Sequence, residues 1–170
     1  MRYLGASNYQ AWRLTRALWE SDKRGYVRYE SLQPKYNLVF RDEYERELEP
    51  LCLEQGVGVI PYSSLGSGFL SGKYRRGADL PSTVRAGGVQ KGYMTDRGFT
   101  VLEAIDKVAV AVNATPAQVA LSWLAHRPGI TAPIASATSV AQLKEIVGAI
   151  ELKLDAEATT TLDQASAWRE

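Results

Sequence analysis

The chain has 170 residues, of which 45% are hydrophobic and 23% charged, and a formal net charge of +1. That length suits one domain, residues 1–170, with a real core, but falls short of the roughly 200 residues or more that a closed (β/α)8 barrel needs. The near-neutral balance disfavours a polyanion partner such as nucleic acid, and no apolar run approaches the roughly 20 residues of a membrane span.

In chain order, Met1 to Ala6 reads as a strand with no apolar leader before it, which points to the cytoplasm rather than to export. Ser7 and Asn8 are good N-cap residues for a helix carrying Ala11, Leu14, Ala17 and Leu18 and ending at Gly25. Val27 to Leu32 is a second strand, closed by Gln33-Pro34. Asp42 is a candidate cap for helical sequence from Glu43 to Gln55, in which Pro50 predicts a break or kink and Gly56 the end. The lone Cys52, between Leu51 and Leu53, reads as a buried inert thiol, since no histidine is near it in sequence. A single cysteine also fits a reducing compartment.

Val57 to Ile60 reads as a short buried strand. Lys73 to Arg97 shows no period and is expected to be a functional or mobile loop, its cations Lys73, Arg75, Arg76, Arg85, Lys91 and Arg97 set against Asp79 and Asp96. Val101, Leu102, Ile105, Val108, Ala109 and Val112 form one helical stripe. Thr115-Pro116-Ala117-Gln118 is a capping box that opens another helix. Ile130 to Ala135 reads as a fourth strand, Ser139-Val140-Ala141-Gln142 as a second capping box, and Asp155 as the cap of a last helix running to near Trp168. Strands alternating with helices predict right-handed βαβ units and a parallel sheet. The fold class is α/β: half of a TIM (β/α)8 barrel, about four parallel βα units plus extra C-terminal helices. Such a half has two open edges and an exposed apolar inner face, so a second copy or a complementary half-barrel is expected to cover it.

Parallel α/β sheets bind ligands at the carboxyl ends of their strands, and polar or glycine-rich sequence follows each strand here. Asn8 and Gln33 offer the paired donor and acceptor that a carboxamide needs, and Tyr62 offers a flat face for a nicotinamide-sized ring. Gly66-Ser67-Gly68 permits close backbone approach to a diphosphate, and the helix starting near Ser139 presents free N–H groups to a phosphate. The inventory suits a dinucleotide. Taken singly, an Asn, Gln or Ser at a strand end reads first as a turn former. His126, the only histidine, falls at a helix C-terminus and reads as a dipole contact, and the four tryptophans read as packing residues.

Read together, Arg2 to Tyr9, Gln33-Pro34-Lys35-Tyr36-Asn37, Gly56 to Tyr74 and Pro133 to Ser139 resemble the C-terminal half of the aldo-keto reductase superfamily over essentially the whole chain. The stretch Pro61-Tyr62-Ser63-Ser64-Leu65-Gly66-Ser67-Gly68-Phe69-Leu70-Ser71-Gly72-Lys73-Tyr74 is the most specific part. The resemblance implies NADP(H)-dependent interconversion of carbonyls and alcohols. It assigns Ser7, Asn8 and Gln33 to the nicotinamide carboxamide and Tyr62 to the ring. Ser63, Leu65, Ser67, Gly68 and Lys73 fall to the pyrophosphate, Thr138, Ser139 and Gln142 to the 2′-phosphate, and Glu145 to adenine or ribose. Thr138 and Gln142 stand where many members carry Lys or Arg, which leaves NAD(H) as the alternative cofactor. Ser136 and Ile146 replace a usual Gly and Asn. The family's catalytic Asp, Tyr, Lys and His precede the region matched, so no catalytic residue and no metal ligand is assigned. The expectation is a cofactor-binding half, inactive alone, that meets a small carbonyl substrate only when completed. The rival is a non-catalytic dinucleotide-binding, regulatory or structural subunit, the role potassium-channel β subunits illustrate for this family, or a truncated relic.

Overall fold

A computed structural model describes residues 1–81 and 86–168. Strand β1 (Leu4–Ser7) is followed by α1 (Ala11–Arg24), β2 (Tyr29–Gln33), α2 (Asp42–Glu45), α3 (Leu48–Gln55) and β3 (Gly58–Val59). A 3-10 segment (Gly66–Ser71) then leads to α4 (Ala86–Gly92), α5 (Asp96–Ala111), α6 (Pro116–Ala125), α7 (Val140–Glu151) and α8 (Ala156–Ala165). The strands form a parallel sheet in the order β1-β2-β3. The predicted fourth strand is an extended segment rather than a full ladder. It holds to β3 through the Val59–Ile130 bridge, with Thr131 N–H donating to the Val59 carbonyl at 2.8 Å and Ile134 N–H to Pro61 at 2.9 Å.

Strand alternation sorts the sheet's two faces. Ala6, Leu32 and Val59 are buried and belong to the same core as Leu14 and Leu18 of α1. The opposite face is built from small residues. A Cβ added at Gly5 would lie 2.6 Å from Ser31 Oγ, and one at Gly58 2.8 Å from Thr131 Oγ1. The apolar inner face expected from sequence is therefore absent at this level, because its middle row is Gly5, Ser31, Gly58 and Thr131. Exposed apolar surface lies instead on α7, where Val140, Leu143, Val147 and Ile150 are 70%, 53%, 52% and 66% exposed.

Several local expectations hold. Gly25 and Gly56 end α1 and α3 in the left-handed conformation (φ 65° and 63°), where a Cβ would be strained. The Thr115–Gln118 capping box is complete in both directions. Cys52 is buried, and burial pushes its thiol up to about 11, which leaves it unreactive. His126 caps α6, its Nδ1–H donating to the Ser122 carbonyl at 2.8 Å.

Others need correction. Gln10, not Ser7 or Asn8, precedes α1, and it caps through no side chain. Asp42 is the first residue of α2 rather than its cap. The break between α2 and α3 falls at Arg46–Glu47. Pro50 is the third residue of α3, in the first turn, where its missing N–H has no helical partner to lose. Ser139 accepts from Gln142 N–H, but the Gln142 side chain turns to Thr138, so this capping box is half formed. The stretch from Lys73 to Arg97 holds α4 and the start of α5, and buries Tyr74, Val89 and Tyr93. Arg75 pairs with Asp106 and Arg76 with Asp96, whereas Arg85 lies outside the described residues. Of the tryptophans only Trp123 is a buried core residue; Trp12 and Trp19 are exposed on α1, and Trp168 lies beyond α8.

A buried polar cluster ties α8 to β2 and α2. Arg41, 9% exposed at its side chain, donates from Nε to Glu45 Oε1 at 2.7 Å, and its Nη1 lies 3.2 Å from Asp163 Oδ1. Tyr36 Oη donates to Glu45 Oε1 at 2.6 Å, Trp168 Nε1 to Glu45 Oε2 at 2.9 Å and Trp123 Nε1 to Asp163 Oδ1 at 3.0 Å. Burial alone raises the Glu45 pKa, but the hydrogen bonds from Arg41 and Tyr36, the Arg41 charge and the Trp168 bond outweigh it and hold it below the ordinary carboxylate range. A carboxylate depressed on folding stabilises the fold above its unfolded pKa, and that stability is lost as pH falls through the folded value. Glu45→Gln is therefore expected to lower stability by about 2 kcal/mol at pH 7. The gap from the unmodified chain should narrow below about pH 4.5, read by urea unfolding at the two pH values. A gap independent of pH would refute the electrostatic account.

Candidate functional site

The carboxyl ends of β1, β2 and β3 carry a mostly polar row of side chains. Alternation continues the face of Gly5, Ser31 and Gly58 to Ser7, Gln33 and half-buried Ile60, and then to Tyr62. Ser7 is the register partner of Gln33, and its Oγ donates to the Gln33 carbonyl at 3.0 Å. Asn8 N–H donates to that same carbonyl at 3.3 Å. One step further along, Lys35 bridges Tyr62, whose N–H donates to the Pro34 carbonyl at 2.9 Å. Among the described residues no protein hydrogen bond engages the side-chain amide of Asn8 or of Gln33. Both amides thus keep the donor and acceptor that a ligand carboxamide requires.

Beyond the row the backbone is strained in a pattern. The non-glycine residues with positive φ are Asn8 (54°), Ser63 (57°), Ser67 (55°) and Asn113 (51°) among the described residues. All but Asn113 belong to the residues assigned from sequence. Left-handed backbone at a residue with a Cβ costs about 1–2 kcal/mol and collects where a ligand or a tight loop demands it. Gly66, Ser67 and Gly68 have φ of 56°, 55° and 94° in succession, a left-handed curl closed on itself by Gly66 N–H donating to the Ser63 carbonyl at 2.8 Å. Lys73 closes over it: a Cβ added at Gly68 would lie 2.9 Å from both Cε and Nζ of Lys73. Leu65 is partly buried against the core, and its carbonyl accepts from Gly68 and Leu70 N–H at 2.9 and 3.1 Å. Leu65 anchors the curl, with no polar side chain to offer a ligand.

Asn37, absent from the residues assigned from sequence, holds the row and the curl together. It is 1% exposed. Its Nδ2 donates to the Ser63 carbonyl at 2.9 Å, and its Oδ1 accepts from Val39 and Phe40 N–H at 2.9 and 3.1 Å. Ser64 makes the next link, its Oγ donating to the Ile134 carbonyl at 2.8 Å and so tethering the extended segment that leads to Ser136–Ser139.

The adenosine-end residues form a separate group. Thr138 donates from N–H and Oγ1 to Gln142 Oε1 at 2.8 and 3.0 Å, and Ser139 caps α7. Thr138, Ser139 and Gln142 are exposed, and Glu145 is half-buried one turn along. Gln142 is thus spent on the loop rather than extended as a free arm.

A cavity of about 650 Å³ opens beside the polar row, lined by Asn8, Tyr9, Pro34, Lys35, Tyr44 and Tyr62, with Asp42, Glu43, Arg46 and Glu47 also contributing. It takes in Asn8 and Tyr62 but neither Ser7 nor Gln33, and none of Thr138 to Glu145. Lys35 is the residue the assignment from sequence leaves out here. Its signal was available, since it stands two positions after Gln33 on the same strand face. Among the described residues no group of three or more His, Cys, Asp or Glu side chains is gathered as a metal site, and no single helix is long and apolar enough to cross a membrane.

Comparison with known proteins bears on this geometry. The model of the aldo/keto reductase family matches residues 1–167. A Bacillus subtilis protein named uncharacterized oxidoreductase YrpG is 32% identical over 155 residues, covering 91% of this chain and 46% of its own. An aldo-keto reductase of Fusarium vanettenii is 32% identical over 173 residues, covering 99% and 45%. A Schizosaccharomyces pombe protein provisionally named a voltage-gated potassium channel β subunit is 34% identical over 173 residues, covering 95% and 49%. The chain thus spans about half the length of the curated relatives it matches. On the family match and these relatives, the chain belongs to the aldo/keto reductase family.

Proposed function

We propose that this chain is the nicotinamide-dinucleotide-binding half of an aldo-keto reductase. The observation that carries the reading is the left-handed curl at Gly66–Gly68 under Lys73, next to a strand-end row whose Asn8 and Gln33 amides are unengaged. The residues fit the group they would hold. The Lys73 ammonium and the Ser67 hydroxyl match a diphosphate. Asn8, Gln33 and Ser7 match a carboxamide, and half-buried Tyr62 offers its ring as a stacking face. Bound, the nicotinamide would supply the hydride that such a family exchanges with a carbonyl carbon. In this reading the chain's own side chains bind and orient it, and the proton donor comes from outside the chain, so the chain alone is inactive.

NADP(H) is the preferred form and NAD(H) the alternative. Gln142 is tied to Thr138, and neither carries the cation that would grip a 2′-phosphate most strongly, which supports only a modest preference. The substrate is a small carbonyl compound and the setting the cytoplasm. The α7 stripe favours association, with a second copy or a complementary half-barrel, because four aliphatic side chains each more than half exposed on one helix are a poor free surface. The rival reading, a non-catalytic regulatory subunit, keeps the same binding residues and differs in having no hydride acceptor.

Titration of the chain with NADPH and NADH, followed by tryptophan fluorescence, tests the cofactor reading. Saturable quenching is expected in the micromolar range, with NADPH a few-fold tighter, and is expected to weaken at least tenfold in Asn8→Ala/Gln33→Ala. A folded sample that binds neither dinucleotide sinks the reading. Ser67→Gly should raise stability by about 1 kcal/mol through relief of left-handed strain. It removes only a side chain from the curl, so thermal unfolding is the readout. Sedimentation should show self-association that Leu143→Glu/Val147→Glu abolishes; a monodisperse monomer would contradict the association.

A further inference from the structure

Lys35 is the one polar residue of the strand-end row with no assigned role, and its surroundings are unusual for a lysine. Its Nζ lies 3.3 Å from the centroid of the Phe40 ring and 5.5 Å from that of Tyr93, and these two rings pack edge to face at 5.1 Å. The aromatic pair fixes the ammonium in place, where a surface lysine would sweep through solvent. Among the described residues it makes no ion pair and no hydrogen bond, so its N–H donors are unspent. Burial lowers its pKa and the charge of Glu43 opposes that. Asp42, Glu43, Glu47 and Arg46 are exposed at the cavity's edge, where solvent screens them, whereas Lys35 is half-buried within it. Lys35 also bridges Tyr62 through the backbone, and both residues line the 650 Å³ cavity.

We propose that Lys35 anchors an anionic oxygen, carboxylate or phosphate, at the nicotinamide end of the site. A pre-positioned, partly desolvated ammonium with unspent donors and no protein counter-charge in contact is complementary to one such group. Two sources carry that chemistry: the carboxylate of an acidic carbonyl substrate, and the cofactor phosphate nearer the nicotinamide. In the first case Lys35 sets specificity for carbonyl compounds that bear a carboxylate. The proposal rests on the cofactor reading above, and its test separates the two.

The test uses the full chain, Lys35→Gln and Lys35→Arg. NADPH affinity is measured first. With NADPH saturating, calorimetry then compares 4-carboxybenzaldehyde with benzaldehyde as ligands of the cavity lined by this chain's own residues, where binding is read without turnover or a completing half. If the anion comes from the substrate, the carboxylated aldehyde binds about tenfold tighter than benzaldehyde. That advantage vanishes in Lys35→Gln, survives in Lys35→Arg, and NADPH affinity is unchanged. If it comes from the cofactor, Lys35→Gln weakens NADPH about tenfold and leaves the aldehyde ratio unmoved. Should neither quantity move, the anchor is overturned while the cofactor reading stands. Should the unmodified chain bind no NADPH, the cofactor reading fails, and benzoate titrated alone, followed by the NMR shift of the Lys35 ε-methylene, decides the anchor. A shift that saturates supports it, and no shift overturns it.

Discussion

The arrangement of this molecule depends on one constraint, the in-register parallel pairing of β1, β2 and β3. Pairing sets Ser7 opposite Gln33 and Lys35 opposite Tyr62. The two-residue period then sends Ala6, Leu32 and Val59 into the helix-covered core and the polar row to the other face. A slip of one residue would exchange the two sets, burying Gln33 and exposing Leu32. Core packing and site geometry are therefore enforced by the same hydrophobic pattern.

Around that register the structure spends its buried polar groups on fastening loops. Asn37 joins the end of β2 to the Ser63 carbonyl, and Ser64 joins the following loop to Ile134. The Arg41–Glu45–Asp163 cluster carries the end of α8 back to β2 through Tyr36. The Asn37–Ser63, Ser64–Ile134 and Arg41–Asp163 links span large sequence separations and supplement a strand ladder that is short here. β3 has only two residues in register, and the fourth strand is reduced to one bridge and two hydrogen bonds. The strained serines at 63 and 67 persist because these fasteners over-determine the loop around them.

The small inner face and the apolar α7 stripe change how an incomplete barrel presents itself. With Gly5, Ser31, Gly58 and Thr131 in the middle row, the sheet exposes little grease inward. The surface that calls for a partner is the outer helix, where Val140, Leu143, Val147 and Ile150 recur at three- and four-residue spacing.

Much of this was legible in the sequence, because the signals are local. Period placed α1 and α5, period with the Thr115 and Asp155 caps placed α6 and α8, and Gly25 and Gly56 ended α1 and α3. The Pro61 to Tyr74 stretch and the family resemblance assigned the candidate cofactor residues. What escaped was decided by which side-chain contacts the packed structure selects, near in sequence or far. Asp42 and Pro50 look like a cap and a breaker, but packing moved the helix break to Arg46–Glu47. Gln142 looks like the return half of a capping box, but Thr138 took its side chain. Lys35 and Asn37 stand in the Gln33–Asn37 stretch that carries the resemblance, which gives neither of them a role. Only the fold sets one on the Phe40 ring beside Tyr62 and buries the other against the Ser63 carbonyl. Local propensity and alternation are properties of neighbouring residues. The partner of a buried polar side chain, and the company an ammonium keeps, are settled only when the whole chain is packed together.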